Sequence, residues 1–203
     1  MTIITSSKRC LWATSSLLEE NYHDHEWGVP VHDDRLLFEL LSLEGAQAGL
    51  SWSTILKKRA AYQVEFDHFE ANIIVNYDAH KMNQLLSNPD LVRNPLKLKS
   101  VVTNARAFLE IQKSFGGFDH YLWQFVGGDP VQNSWKNHAD IPTFTDLSKL
   151  MSKDLKARGF KFVGPIICYA YMQAIGMIND HTVDCFRYEQ LKKTVSFKIN
   201  PLN

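Results

Sequence analysis

Apolar positions recur at helical spacing along most of this chain, and few stretches alternate as a half-buried strand would. Behind the capping pair Asp33-Asp34, Leu36, Leu37, Leu40 and Leu41 line one face of a predicted helix. Residues 53–69 predict another, with Lys57-Lys58-Arg59 early and Tyr62, Phe66 and Phe69 late. Residues 72–77 are ambiguous because Ile73-Ile74-Val75 is β-branched. Asp78 then caps a short helix holding Met82, Leu85 and Leu86. After a connection rich in Asn and Pro, the period resumes through Val101, Val102, Ala105, Phe108 and Leu109 until Gly116-Gly117. Residues 118–126 form an aromatic helix, and 131–138 read as irregular or extended. A helix opening at Ile141-Pro142-Thr143 carries Leu147, Leu150, Met151 and Leu155 and closes at Gly159. Residues 166–175 are apolar all round, which implies burial. The expected fold is all-α: one unit over residues 1–189, then a weakly ordered, lysine-bearing tail over 190–203.

Residues 43–52, Leu-Glu-Gly-Ala-Gln-Ala-Gly-Leu-Ser-Trp, break this pattern. They are too soft for a core helix and too apolar for an ordinary surface loop. One reading is a helix corner with Glu44 as a solvated or capping carboxylate and Trp52 in the core. The other is a working site, where Gly45 and Gly49 let something approach the backbone closely.

Composition narrows the class. With 203 residues, 45% hydrophobic and 12% aromatic, the chain can fill one core, or two small lobes sharing a cleft. Lys plus Arg and Asp plus Glu are 22 each, so overall charge points to no polyanionic partner, and only a local field on one face could favour DNA. No apolar run is long enough to span a bilayer, and the polar start lacks a secretory core, so no membrane association is expected. Three cysteines, Cys10, Cys168 and Cys185, cannot all pair, which favours a reduced, cytoplasmic setting and a role as core residues or metal ligands.

Two constellations carry chemistry. The connection at residues 88–99 outlines a helix–hairpin–helix, whose second helix could offer free amides to a phosphate with Arg93, Lys97 and Lys99 adding charge. His181 and Cys185, four apart, fit one face of a helical turn, and Cys10 with His23 could complete a closed Cys2His2 set for zinc. The thirteen-residue spacing of Cys10 and His23 matches no compact finger, so a core cysteine with surface histidines remains the other reading.

Taken together and in order, several motifs resemble the 3-methyladenine DNA glycosylase I family over about residues 8 to 186. They are Cys10-Leu11-Trp12, the Tyr22 to Pro30 run, the stretch 43–52, Asn104 to Ala107, Arg158 to Gly164 and Asn179-Asp180-His181. The resemblance implies a helix–hairpin–helix glycosylase fold and excision of 3-methyladenine from alkylated double-stranded DNA. It implies one structural zinc ion on Cys10, His23, His181 and Cys185, tying the two ends of the chain together. It gives Tyr22 and Glu44 the flipped base to hydrogen-bond, Trp52 to stack on it, and Trp12 and Trp27 to line the pocket. Gly49 and Leu50 would fill the gap left in the duplex. No lysine lies in the matched pocket stretches, so a monofunctional hydrolase acting as a monomer is expected. The hairpin at 93–97 lacks the wider superfamily's glycine, and no catalytic aspartate follows it; Glu44 is the candidate catalytic residue, either as base or as reader only. A non-catalytic module that binds alkylated bases, and a zinc hydrolase unrelated to DNA, are the alternatives to be excluded.

Overall fold

The computed structural model describes residues 8–193, and among them ten α-helices and one pair of very short strands. The helices are α1 (Leu17–His25), α2 (Asp34–Gln47), α3 (Trp52–Glu65), α4 (Ala71–Ile74), α5 (Ala79–Ser87) and α6 (Pro95–Phe115), followed by α7 (Phe118–Trp123), α8 (Asp146–Ala157), α9 (Pro165–Ala174) and α10 (Phe186–Lys193). Strands β1 (Val131–Gln132) and β2 (Ile178–Asn179) pair in parallel, with Val131 opposite Ile178. The all-α expectation holds.

Helix starts follow local chemistry. Ser16, Asp33, Ser51, Asp78 and Thr145 accept from the amides of Glu19, Leu36, Thr54, Lys81 and Ser148, each satisfying a donor that the helix itself cannot. The longest helix, α6, opens with Pro95 at its first position, and Gly116 ends it in the left-handed region at φ 77°.

Helix α2 is the central post. Its Leu37, Phe38, Leu41 and Leu43 are fully buried, and it packs against α3, α6, α7 and α9. Phe38 meets Phe108 of α6 at 4.9 Å between ring centroids; burying one such ring contributes roughly 1.5–3 kcal/mol. A second apolar cluster of Cys10, Tyr22, Trp27, Ala174 and Cys185 joins the N-terminal arm to α1 and to the loop before α10. Several functional side chains belong to this second cluster, and Trp52 packs against both.

Five local expectations change. Helix α2 runs on through Gln47, so Glu44 and Gly45 are helical and the corner lies at residues 48–51. Residues 71–74 are helix despite their β-branched side chains, because Ile74 is fully buried and α4 packs on α6. The helix expected at Ile141 starts instead at Asp146: Ile141 is held extended by the proline after it, and Thr145 supplies the cap. The segment from His181 to Cys185 is a turn, not a helical turn, closed by the Cys185 amide donating to the Thr182 carbonyl. Finally, α10 reaches Lys193 with Leu191 buried, so the boundary expected at Gln190 falls inside a helix; residues 194–203 lie outside the described residues.

Candidate active site and metal centre

A cavity of about 400 Å³ opens between α1, α2, the start of α3, α9 and the segment around Pro142. Trp12, Tyr22, Trp27 and Trp52 give it aromatic walls. The rings brace one another: Trp12 lies edge-on to Trp27 at 5.0 Å, and Tyr22 is tilted against Trp52 at 5.3 Å. Glu44 enters from the last turn but one of α2, 3% exposed. Buried polar atoms almost always find partners, and leaving one without costs about 1–3 kcal/mol. Here the Tyr22 hydroxyl, Glu44 Oε2 and Trp52 Nε1 are buried with no protein partner, and all three side chains line this cavity.

Burial sets the protonation of the site. It pushes the Glu44 carboxyl up to about 8. It also raises the Tyr22 phenol well above its ordinary value, with the Glu44 charge adding to the effect. A carboxyl poised near neutrality in an aromatic cavity gains its charge most readily when a cation arrives beside it.

Close backbone approach explains why Gly45 follows Glu44. A Cβ there would stand 3.2 Å from the Phe162 Cβ, so α2 and the loop at 159–164 meet so closely that a side chain would push Phe162 back by a few tenths of an ångström. That loop is itself clamped: the Asn104 amide donates to the Lys161 carbonyl at 3.1 Å and accepts from the Lys161 amide at 2.7 Å. The Asn104 and 158–164 motifs therefore support the placement of α2.

Beyond Gln47 the chain turns outward. Gly49 sits at φ 76° with open space around it, Leu50 is 41% exposed, and Ser51 caps α3. This apolar tip stands next to Trp52, at the rim of the cavity. Lys97, expected as a phosphate contact, is instead buried: its ammonium donates to the carbonyls of Ala46 at 2.8 Å and Ala48 at 2.5 Å, holding the C-terminal end of α2. Lys99, two residues on and so about 200° around α6, is exposed over a groove with Tyr77, Met82 and Arg106. Of the three expected cations, Arg93 alone stands exposed at the turn before α6. The anion site expected at that turn is closed as well, because Asn94 Oδ1 already takes the Leu96 and Lys97 amides. By contrast α9 begins at Gly164 with no side-chain cap and Pro165 at its first position, and its Ile166 lines the cavity. Sequence reasoning missed this second hairpin, α8 to α9, although Gly159 and Gly164 were its signal. It also missed Glu19, Gln47, Tyr169 and Gln173 as cavity walls, since nothing in their spacing marks them.

Behind the aromatic wall, Cys10, His23, His181 and Cys185 converge, all buried, with their ligating atoms within 4.8 Å of one another. Cys185 Sγ lies 3.4 Å from both His23 Nε2 and His181 Nδ1, and Cys10 Sγ 3.5 Å from His181 Nδ1. Bonds of about 2.3 Å to sulfur and 2.0–2.1 Å to nitrogen set S–N edges of roughly 3.5 Å in a tetrahedron, so the spacing fits one metal ion. The outer ring nitrogens are fixed too. His23 Nδ1 meets Asp24 at 2.8 Å, itself gripped by Arg9, and His181 Nε2 meets the Trp27 carbonyl at 3.2 Å. These bonds turn Nε2 of His23 and Nδ1 of His181 toward the centre as lone-pair donors. Burial lowers the His181 pKa, favouring the neutral ring that a ligand requires. The Cys10–Cys185 contact holds the Cys185 thiol down and pushes Cys10 up, as two sulfurs sharing one proton must.

An aromatic cavity with unsatisfied polar atoms, opening beside a protruding apolar turn, is a binding site for a flat, hydrogen-bonding ring. The comparisons with known proteins agree. Residues 12–188 match the family model for methyladenine glycosylase, and the chain belongs to that family. It is 42% identical to the DNA-3-methyladenine glycosylase of Haemophilus influenzae over 177 residues, covering 87% of this chain and 96% of that protein. It is 41% identical to DNA-3-methyladenine glycosylase 1 of Escherichia coli K12 over 181 residues, covering 89% and 97%. Among solved structures, a tyrosine-to-phenylalanine variant of 3-methyladenine DNA glycosylase I in complex with 3-methyladenine superposes with a TM-score of 0.86 at 37% identity, covering 89% and 97% of the two chains.

Proposed function

We propose that this chain is a DNA repair glycosylase that hydrolyses the N-glycosidic bond of 3-methyladenine in alkylated double-stranded DNA and leaves an abasic site. The observation that carries the reading is the set of three buried, partnerless polar atoms on Tyr22, Glu44 and Trp52 around one aromatic cavity. A base within a duplex is out of reach, so it must be flipped out and stacked between rings. Leu50, exposed on the Gly49 turn, would fill the gap it leaves. Arg93 and the uncapped α9 N-terminus would meet the DNA backbone.

Methylation at N3 gives the base a formal positive charge, so its bond to the sugar is already weak. A Glu44 carboxylate and the Trp52 face favour that cation over neutral purines, the ring contact adding about 0.5–2 kcal/mol. As the C1′–N9 bond breaks, its electron pair goes to the purine, which departs neutral. Positive charge passes to the sugar, and water adds at C1′ and releases a proton. Glu44 stands ready to hold the developing charge.

Cys10, His23, His181 and Cys185 would hold zinc, whose preference for mixed thiolate and imidazole donors the quartet matches. Four protein donors leave no open position, so the ion supplies cross-linking and not chemistry. Every residue of the site comes from one chain, so a monomer suffices, and unpaired cysteines together with a DNA substrate fit the cytoplasm.

The test is release of free base from methylated duplex DNA. Wild-type protein is expected to liberate 3-methyladenine and leave alkali-labile sites; binding of the methylated duplex without release would make it a base-binding module instead.

A further inference from the structure

In the Asn179-Asp180-His181 motif, Asp180 is absorbed by neither base reading nor metal binding. Asp180 is 1% exposed, and its carboxylate accepts four hydrogen bonds from neutral donors. Oδ1 takes Asn133 Nδ2 and Trp135 Nε1, each at 2.7 Å; Oδ2 takes the Tyr169 hydroxyl at 2.5 Å and Gln173 Nε2 at 2.7 Å. A buried carboxylate has about four lone-pair sites, so this one is saturated. Its donors come from two directions. Tyr169 and Gln173 are on α9 and line the base cavity. Asn133 and Trp135 follow β1, and the chain beyond them supplies a second part of the wall at His138, Ile141, Pro142 and Thr143. The next residue is His181 of the Cys/His cluster.

We propose that Asp180 is a positioning residue that ties the two walls of the base cavity to each other and to the metal centre. Charge-assisted hydrogen bonds are short and directional, and a saturated buried carboxylate enforces one arrangement of its donors. The width of the slot between Tyr169 and the segment at 138–143 follows from that arrangement. The inference rests on the glycosylase reading, because it assigns Asp180 to fit of the flipped base.

The test measures binding of free 3-methyladenine by quenching of the cavity tryptophans, together with metal content and unfolding midpoint. Asp180→Asn keeps the shape but offers one accepting oxygen instead of two. Tyr169→Phe leaves Asp180 in place and cuts its link to α9. Each is expected to weaken binding about five- to tenfold, less than the full loss of a bond to a charged group because the effect reaches the base only through the cavity walls, with metal content unchanged. The double variant is expected to lose little more than Asp180→Asn alone. Wild-type affinity in both single variants, or losses that simply multiply in the double, would overturn the proposal. Should Asp180→Asn fail to fold or lose its metal, Tyr169→Phe and Gln173→Leu decide it: weakened binding at full metal content supports the tie, and unchanged binding overturns it. A wild-type protein that binds no 3-methyladenine would instead sink the glycosylase reading.

Discussion

The Cys/His cluster and the base cavity are neighbours on either side of Trp12 and Trp27, yet their polar atoms are treated in opposite ways. In the cluster nothing is left over: the outer nitrogens of His23 and His181 are occupied by Asp24 and Trp27, and the inner four atoms face one another. In the cavity, Tyr22, Glu44 and Trp52 each keep a buried polar atom without a partner. The cluster could close around one metal ion, whereas the cavity holds its binding groups in reserve for a transient occupant. Substitutions should therefore separate: cavity changes remove activity and spare stability, and cluster changes do the reverse.

The largest effect is expected at Glu44. Glu44→Gln should lower kcat/KM for 3-methyladenine excision by about 10²-fold or more, the usual scale for losing one oriented charge-stabilising group. Undiminished excision would remove Glu44 from the mechanism. Because the base in DNA is a fixed cation, wild-type kcat/KM should also rise with pH toward the Glu44 value of about 8, and the variant should lose that rise.

The cluster comes next. Cys185→Ser or exhaustive chelation should lower the unfolding free energy by several kcal/mol, since metal binding that exists only in the folded chain adds directly to its stability. Excision per folded molecule should change little. A chelated protein that stayed folded at wild-type stability yet lost all excision would reverse the assignment and point to a chemical role for the metal.

A third test reads the cost of holding Glu44 ready. Its folded pKa, about 8, lies above the ordinary carboxyl value of 4.5, so the folded state binds more protons between those limits. Stability from this group is full below about pH 4.5 and declines as pH rises through 8. Glu44→Gln should flatten that slope and leave the variant more stable than wild type at pH 9, by about 2–4 kcal/mol at most. Denaturant unfolding at pH 5, 7 and 9 measures it, and parallel profiles would show that burial does not strain this carboxyl.

How much of this was readable in the chain depended on the range of the interaction. Caps at Asp33 and Asp78 lie within three residues of the amides they satisfy, and they stood out in the sequence, whereas the Asn94 cap did not. Spacing left the Cys/His quartet as one of two open readings, and only the family pattern made it and the base-reading side chains definite expectations, because Cys10 and His181 meet across 171 positions that no periodicity links. Lys97 shows what neither route exposed. In the sequence it is one of three cations beside a hairpin, and its burial depends on α2 ending against α6, a packing fact with no local mark. Asp180 is similar, since its four donors come from two separate segments.

The smallest predicted effect uses that lysine to sharpen the contrast between scaffold and site. Lys97→Met keeps the aliphatic stem but leaves the Ala46 and Ala48 carbonyls without their donor, which should cost about 1–3 kcal/mol. Lys99→Met, on the opposite face of α6 and exposed, should shift stability by less than about 0.5 kcal/mol. If Lys97 served the DNA backbone, its loss would flatten the salt dependence of duplex binding by about one charge and spare the fold. If it holds the end of α2, the salt slope stays and stability falls. The outcome expected from the buried ammonium is the second, with Gly49 and Leu50 less firmly presented and excision reduced a few-fold in a protein whose salt slope is that of wild type.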